Sequence, residues 1–239
     1  VRRAERELMY TPRHFGMTAD LQQRMLAAPA AGDLITHGPS GLLATHLPYV
    51  FDADLGEQGS LLLHVARPNQ QWREAVEGEA LFIITMASDY ISSLWYPSAA
   101  ESGKYVPTWD YATLHVYGRL IAHDDLDWTT MAAQRLMRAH ETRVGLADMP
   151  EAYLAGQLRA IVGLQLQVTR IEAKAKLSQN RTPDDVHGVI EGLDDAGAEV
   201  MSHLVSEYAL PAAERRATLI ADVAARHRPH KVIGIAEPL

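Results

Sequence analysis

The sequence predicts an α+β fold, mainly β with helices, built on a small antiparallel β-barrel. Short segments of strand character follow one another with turn residues between them, one helix precedes them, and helices lie between the last two. The hydrophobic fraction of 47% and the charged fraction of 22% are typical of a globular protein, and 239 residues can bury a sizeable core. The strand pattern, the composition and the chain length together predict one barrel domain, and the C-terminal part of the chain is predicted to be a helical extension.

The first predicted element is a helix over residues 18–28. Thr18 is suited to cap its N-terminus, and Asp20 suits the positive end of the helix dipole. Apolar side chains recur at helical spacing, which gives the helix one face to bury. The residues of this face are Leu21, Met25 and Leu26.

Six strands are predicted from short apolar runs and from the alternation of apolar and polar residues. They cover residues 33–36, 42–51, 60–65, 80–86, 111–123 and 161–171. The Gly-Pro-Ser-Gly segment at 38–41 predicts a hairpin turn between the first two strands, and a polar turn over 52–59 precedes the third. Strands joined in this way pair in antiparallel fashion.

Four further helical segments are predicted. A short helix over 69–76 follows the third strand, an amphipathic helix covers 126–143, and a shorter helix covers 153–158. The C-terminal part of the chain is rich in alanine and acidic residues, which predicts helix over 184–228 with a break at Pro211.

Composition and charge exclude several classes of protein. There are no cysteines, which excludes disulfides, thiolate metal sites, iron–sulfur clusters and cysteine nucleophiles. No run of about 18 apolar residues is present, so no transmembrane helix is expected. The N-terminal residues are charged and lack the apolar core of a secretory signal. These features favour a cytoplasmic location.

The charge of the chain gives no support for direct DNA binding. The formal net charge is −8, whereas phosphate neutralisation requires a basic face on a DNA-binding protein. Common phosphate-loop, dinucleotide-binding, metalloprotease and hydrolase motifs are also absent. The sequence therefore assigns no metal site and no catalytic residue.

Two adjacent polar side chains lie in the second predicted strand, at Thr45 and His46. A histidine inside a strand can bind a ligand, and it can equally be a hydrogen-bonded residue of the core. Both interpretations of His46 remain open from the residues alone.

A second cluster surrounds the turn after the third predicted strand. It consists of His64, Arg67, Asn69, Gln70 and Trp72. The N-terminus of the predicted helix over 69–76 would offer free N–H groups to a phosphate, and Arg67 would add a charged, forked donor. The alternative is that Asn69 caps the helix and Arg67 lies on the surface.

A third cluster is aromatic and lies within and after residues 88–106, a segment that is expected to be irregular. Tyr and Trp alternate there with hydroxyl-bearing residues, and flat aromatic side chains beside hydroxyls suit a planar heteroaromatic ligand such as a flavin ring. A hydrophobic loop or a dimer interface would have the same composition. The candidate residues are Tyr90, Ser92, Trp95, Pro107, Thr108 and Trp109.

A fourth cluster follows the last predicted strand and is dense in donors suited to phosphate. Its members are Lys176, Ser178, Gln179, Asn180 and Arg181. A charged surface turn would look similar. Together the four clusters predict a small β-barrel that binds a planar anionic ligand.

At these clusters the chain resembles the PaiB family. The matching stretches occur in family order and several are of rare composition. They are MYTP at 9–12, ATHLP at 44–48, PNQQWR at 68–73, YISS at 90–93 with WY at 95–96, VPTW at 106–109 with HVYG at 115–118, IVG at 161–163, and KLSQNR at 176–181. The match extends to about residue 182, is looser over 184–203, and ends there.

The resemblance implies an FMN-binding split β-barrel of the type shared with pyridoxamine-phosphate oxidases and flavin reductases, working as a homodimer with two FMN sites between the subunits. By analogy with related barrels, the turn carrying Arg67, Asn69, Gln70 and Trp72 is expected to hold the FMN phosphate. Thr45 and His46 are expected to line the isoalloxazine ring. The partner subunit is expected to supply the aromatic residues of the third cluster and residues 176–181.

The same resemblance predicts the domain organisation. An FMN-binding split-barrel domain is expected over 9–182 and a C-terminal helical extension over 183–239, with 1–8 being upstream sequence or a disordered N-terminus.

Three functions are compatible with the sequence and with this resemblance. The founding members of the family are named as negative regulators of sporulation and degradative-enzyme genes, which implies a transcriptional regulator that senses a flavin or redox signal. An FMN-dependent oxidoreductase is the second function. A haem-binding barrel with His46 or His64 as iron ligand is the third.

Overall fold

The computed structural model describes residues 9–74 and 76–226. The chain divides into two compact units, the first made of residues 1–88 and 111–175, the second of residues 89–110 and 176–239. The expected N-terminal segment 1–8 and the end of the predicted extension, 227–239, lie outside the described residues.

Six strands form a closed barrel, which confirms the predicted fold class. They are β1 (Ala30–Gly38), β2 (Gly41–Asp52), β3 (Ser60–Ala66), β4 (Ala80–Ile91), β5 (Thr108–His123) and β6 (Ile161–Lys176). The order around the barrel is β1-β2-β3-β6-β5-β4, and β1 pairs with β4 to close it. The first hairpin turns at the predicted place, where Gly38 faces Gly41, and Gly41 has a φ of 92° that favours glycine.

Several strands extend beyond their predicted ends. β4 continues to Ile91 instead of ending at 86, and β6 continues to Lys176 instead of ending at 171. The added residues include few large apolar side chains, so the sequence gives them little strand character. Backbone pairing continues there because a strand is held by its neighbours and not only by the burial of its side chains.

Seven α-helices lie among residues 9–74 and 76–226. They are α1 (Ala19–Ala27), α2 (Pro97–Ser102), α3 (Leu126–His140), α4 (Glu151–Arg159), α5 (Pro183–Asp195), α6 (Glu199–Leu204) and α7 (Leu210–Arg226). None of the helices in this part of the chain is long and apolar enough to cross a membrane. α1 confirms the first predicted helix, since Thr18 Oγ1 accepts a hydrogen bond from the Leu21 N–H at 3.3 Å.

The helix predicted over 69–76 is wrong, because residues 69–74 form turns. The side chain of Asn69 accepts a hydrogen bond from the Gln71 N–H at 2.8 Å. The Asn69 N–H itself donates to the carbonyl of Ala66 at 2.9 Å. Asparagine competes with helical hydrogen bonding in this way, so the segment closes as a turn and offers no helix N-terminus.

The segment 88–106 is more regular than predicted. It contains the end of β4, a 3₁₀ turn over Ser93–Trp95, and α2. Pro97 occupies the first turn of α2, where its missing N–H costs nothing, and Gly103 ends the helix with a φ of 68°. These local signals account for a short helix that the mixed composition obscured.

Pro211 does not break the C-terminal helix. A π-helical turn over Val205–Ala209 precedes it, and α7 then continues through it to Arg226. A proline removes one backbone donor and its ring crowds the preceding turn, and a widened turn relieves both effects. The break in this region lies instead between α5 and α6, where Gly197 has a φ of 72°.

Each unit has its own apolar packing. In the first, the barrel buries large side chains completely, and the hydroxyl of Tyr49 donates to the carbonyl of Met25 in α1 at 2.6 Å. In the second, Trp95 lies directly against α5 at Gly188 and Gly192, where an added Cβ would overlap the tryptophan. The two glycines are four residues apart and therefore lie on one face of α5.

Candidate functional site

The turn after β3 begins at Arg67, and three contacts within the first unit fix its guanidinium. Nε donates to the carbonyl oxygen of Arg159 at 2.6 Å, and Nη2 donates to that of Ile161 at 3.1 Å. Nη1 pairs with Asp124 Oδ1 at 2.6 Å. A guanidinium carries five N–H groups, so two of them remain for a ligand.

A polar network ties this turn to the β1–β2 hairpin. Thr45 Oγ1 donates to Gln71 Oε1 at 2.6 Å and accepts from Asn69 Nδ2 at 3.1 Å. The Gln71 side-chain amide is buried and donates to the carbonyl of Leu34 and to Thr36 Oγ1, each at 3.1 Å. The structure therefore brings together two of the candidate residues, Thr45 and Asn69. The buried Gln71 at the centre was missed, because only the folded chain shows that it points inward.

A second arginine joins the turn and was also missed. The carbonyl oxygen of Arg67 accepts hydrogen bonds from Trp72 Nε1 at 3.0 Å and from Arg73 Nη2 at 3.4 Å. The Arg73 guanidinium lies over the Trp72 ring, 4.9 Å from its centroid. Gln70 is exposed and donates to the carbonyl of Pro68, within its own turn, at 3.2 Å. Two guanidinium groups are thus held at one turn, and the run Trp-Arg after the asparagine was the available signal.

Thr45 and His46 lie on opposite faces of β2. Successive strand residues point to opposite sides of a sheet, and Thr45 turns towards the polar network while His46 is exposed. His46 Nδ1 lies 2.9 Å from Asp33 Oδ1 on the neighbouring strand. One planar ligand on a single face of β2 therefore contacts only one of these two side chains.

His64 lies beneath α3. It pairs with Gly163 of β6, and residues opposite each other in an antiparallel pair share a face of the sheet. On that face the ring of Trp128 covers Gly163, and the same ring stacks on His123 at 4.0 Å between centroids. His64 Nδ1 is buried and has no hydrogen-bond partner among the described residues, and burial lowers the pKa of this histidine below 6.5.

The aromatic candidates belong to the second unit and are unequally exposed. Tyr90 and Trp109 lie edge to face, 6.1 Å apart, and both are exposed, as is Pro107. Trp95 instead packs on α5. Ser92 caps the 3₁₀ turn by accepting from the Leu94 N–H at 3.2 Å. The segment therefore combines an anchored end at Trp95 with an apolar surface around Trp109.

Residues at the end of β6 and directly after it surround the fully buried carboxylate of Asp110. Lys176 Nζ pairs with Asp110 Oδ1 at 3.1 Å and donates to Thr108 Oγ1 at 2.7 Å. Ser178 Oγ donates to Asp110 Oδ2 at 2.6 Å. Burial raises the pKa of Asp110, while Ser178 and Lys176 oppose the shift by stabilising the carboxylate.

The rest of this segment is also engaged within the second unit. Gln179 Oε1 accepts from the Leu177 N–H at 2.8 Å. The Arg181 guanidinium lies 4.1 Å from the centroid of the buried Tyr96 ring, and the carbonyl of Asn180 accepts from Arg216 at 2.7 Å. These contacts give the segment a structural role in its own unit.

The candidate residues thus form two groups, one in each unit. The group of the first unit contains Thr45, His46, His64, Arg67, Asn69, Gln70 and Trp72. The group of the second unit contains Tyr90, Ser92, Trp95, Pro107, Thr108, Trp109, Lys176, Ser178, Gln179, Asn180 and Arg181. Arg67 of the first group keeps two N–H groups beyond its three contacts, at the start of the turn after β3.

Comparison with known proteins gives a family match and several relatives. A family model described as "Putative FMN-binding domain" matches residues 9–170. The "Protease synthase and sporulation protein PAI 2" of Bacillus subtilis is 31% identical over 208 residues, which cover 83% of this chain and 97% of that protein. "Uncharacterized protein YKL070W" of Saccharomyces cerevisiae is 33% identical over 142 residues, 50% of this chain and 83% of that protein.

A solved structure is similar at a lower level. It is that of the conserved hypothetical protein Rv2991 from Mycobacterium tuberculosis, with a TM-score of 0.48 and 12% sequence identity. The similarity covers 70% of this chain and 91% of that one.

Proposed function

Since this chain belongs to the family of FMN-binding domains, we propose that it binds FMN at the turn after β3 and works as a homodimeric, flavin-dependent redox protein. The observation that carries the proposal is the pair of guanidinium groups at this turn. Arg67 begins the turn and Arg73 bonds back to its carbonyl oxygen. A phosphate monoester carries close to two negative charges, and arginine forks match its oxygens.

The N–H donors of the turn match a phosphate in number as well as in charge. Two N–H groups of Arg67 are left over from its contacts with Arg159, Ile161 and Asp124. Arg73 adds further donors, of which one bonds the Arg67 carbonyl. By contrast, the backbone N–H groups of Arg67, Asn69 and Gln71 are already bonded within the chain, so the phosphate would be held by side chains.

The polar network beside the turn gives it a defined shape. Thr45, Asn69 and Gln71 bond one another and the β1–β2 hairpin, so the turn is anchored before a ligand arrives. A pre-organised site loses less side-chain entropy on binding than a flexible one. When bound, FMN would supply hydride or single-electron transfer, and the chain would bind and orient it.

The dimer proposal rests on exposed apolar side chains in the second unit. Leu94 is 81% exposed and Val106 65% exposed, and Trp109 lies exposed in the same segment of chain. Apolar side chains clustered on a surface mark interaction sites in soluble proteins. A second copy of this chain is the proposed occupant because symmetric homodimers are the commonest assemblies.

A transcriptional regulator is the second candidate function. Its support is the 31% identity to a sporulation protein of Bacillus subtilis over 97% of that protein. The net charge of −8 does not favour direct contact with DNA. A regulator of this kind would act through a bound flavin signal or through a protein partner.

Identification of the small molecule that copurifies with the protein tests the proposal. Absorbance bands in the blue and near ultraviolet, with FMN released on denaturation, are expected. A Soret band in place of these bands would establish a haem protein and overturn the proposal. Bleaching of the flavin by NADH or NADPH supports the redox function. Nanomolar binding to an operator at physiological salt, with no bleaching, would favour the regulator.

A further inference from the structure

Asp124 occupies part of the arginine fork that the proposed phosphate site needs. Its Oδ1 lies 2.6 Å from Arg67 Nη1, and both side chains are about half exposed. Asp124 follows the last residue of β5, His123, and precedes Asp125, the N-cap of α3. A short connection between two elements of secondary structure therefore holds this carboxylate beside the turn after β3.

Arg67 does not depend on Asp124 for its position. The carbonyl oxygens of Arg159 and Ile161, at 2.6 Å and 3.1 Å, hold Nε and Nη2. These acceptors belong to the end of α4 and the start of β6, where the backbone is itself paired. Two backbone bonds to a planar guanidinium fix its orientation, so removal of the Asp124 charge leaves the fork in place.

We propose that Asp124 is an internal counter-ion of the phosphate site, which an incoming phosphate monoester displaces from Arg67. The carboxylate takes one of the two Nη1 N–H groups, so a phosphate that engages the whole fork must replace it, and the two anions repel each other when both lie beside the guanidinium. Asp124 thereby lowers the affinity for phosphorylated flavin and leaves that for unphosphorylated flavin unchanged. It is a specificity-determining residue, and this inference rests on the function proposed above.

The other acidic residues nearby do not share this role. Asp125 Oδ1 accepts the Trp128 N–H at 2.8 Å and so caps α3. Asp127 lies in the first turn of the same helix and, within the described part of the chain, forms no ion pair with Arg67. Asp127→Asn therefore removes an equal charge close by without freeing the fork, and it serves as the matched control for Asp124→Asn.

The test is a fluorescence titration of the apoprotein with FMN and with riboflavin. Asp124→Asn is expected to bind FMN about threefold to tenfold more tightly than the unchanged protein, since an exposed ion pair and a like charge are both removed. Riboflavin affinity is expected to stay the same. Asp127→Asn is expected to change FMN affinity by less than about twofold, because partly exposed charges at longer range are screened.

Two outcomes overturn the inference. Weaker FMN binding by Asp124→Asn would make the carboxylate a positioning group for Arg67. Equal changes for FMN and riboflavin would mean that it acts through the fold. Stabilisation of each variant by inorganic phosphate, followed as a shift in Tm, gives a readout without flavin. Greater stabilisation of Asp124→Asn by phosphate supports the counter-ion, even where the unchanged protein proves to bind no FMN and the proposed function fails.

Discussion

Ser178 donates a hydrogen bond of 2.6 Å to the buried carboxylate of Asp110 from a backbone conformation with a φ of 63°. Ser178 is the one non-glycine residue of the described chain with a positive φ. Left-handed backbone costs an L-residue roughly 1–2 kcal/mol. The bond to a buried charge offsets that cost, which explains why a serine is stable at this position.

Substitution at Ser178 separates the strain from the hydrogen bond. Ser178→Ala keeps the strain and removes one donor from Asp110, so we expect a loss of about 1–3 kcal/mol in the free energy of unfolding. Ser178→Gly removes the same donor but relieves the strain, so we expect it to be about 1 kcal/mol more stable than Ser178→Ala. Urea unfolding of both variants measures the difference. Equal stabilities would mean that the backbone at Ser178 is unstrained.

The contact of Trp95 with α5 predicts a large effect of one methyl group. A Cβ at Gly192 would overlap the Trp95 ring, so we expect Gly192→Ala to lower the free energy of unfolding by about 1–3 kcal/mol. Gly156 lies within α4, where an added Cβ would have no atom of the described residues within 4 Å apart from the helix's own backbone. Gly156→Ala is therefore the matched control, and it is expected to stabilise the protein by about 0.5–1 kcal/mol. A neutral Gly192→Ala would show that Trp95 moves away freely.

The phosphate site predicts a preference that depends on Arg67. Arg67→Ala should weaken FMN at least about tenfold, because a charge-assisted hydrogen bond contributes about 1.5–3 kcal/mol. Riboflavin has no phosphate, so its affinity should scarcely change. Arg67→Lys should fall between, since it keeps the charge and loses the fork. Fluorescence titration measures all three proteins, and equal losses for both ligands would place Arg67 in the fold or at the ring.

His64, whose ring nitrogen Nδ1 is buried, predicts a loss of stability in acid. Burial lowers its pKa below the ordinary 6.5, so the unfolded chain binds the proton more readily than the folded chain. The contribution of neutral His64 to the free energy of unfolding is then complete above about pH 6.5. It is lost as the pH falls towards the pKa of His64 in the folded protein, and the loss is about 1.4 kcal/mol for each unit by which that pKa is lowered.

Unfolding of the protein and of His64→Gln at about pH 7.5 and about pH 5 measures this loss. The variant carries no titrating group at 64 and should lose less stability. His115, whose pKa is also lowered, chiefly by burial, remains in both proteins and leaves a common residual slope. An identical loss in the two proteins would exclude His64 as a source.

The exposed apolar side chains of Leu94, Val106 and Trp109 predict a dimer. Light scattering at micromolar concentration should give about twice the chain mass of 26.4 kDa. Leu94→Asp places a charge on the segment and is expected to shift the protein towards the monomer. Val144→Asp, at another exposed apolar residue in the loop after α3, is the control and should leave the mass unchanged. A monomeric unchanged protein at that concentration would refute the dimer.

The sequence predicted the fold class and most elements, but it placed a helix after β3 that does not form. The turn residues Pro68 and Asn69 carried the correct signal, since the asparagine side chain bonds the Gln71 N–H and replaces a helical bond. For the candidate site, the sequence supplied a set of residues whose part in ligand binding stays a prediction. Thr45 and Asn69 do meet, whereas Gln71 and Arg73 became recognisable only through the atoms they contact.

By itself the sequence determined the barrel strands, the first helix and its Thr18 cap, and the absence of cysteine chemistry, because alternation, capping and composition are local properties. Only the tertiary structure decided that Asp124 pairs with Arg67 across 57 residues and that Ser178 reaches Asp110 across 68. Such contacts depend on strand order and register around the closed barrel. These bring together segments that are far apart in the chain, and the local sequence of either segment does not show which other segment it will contact.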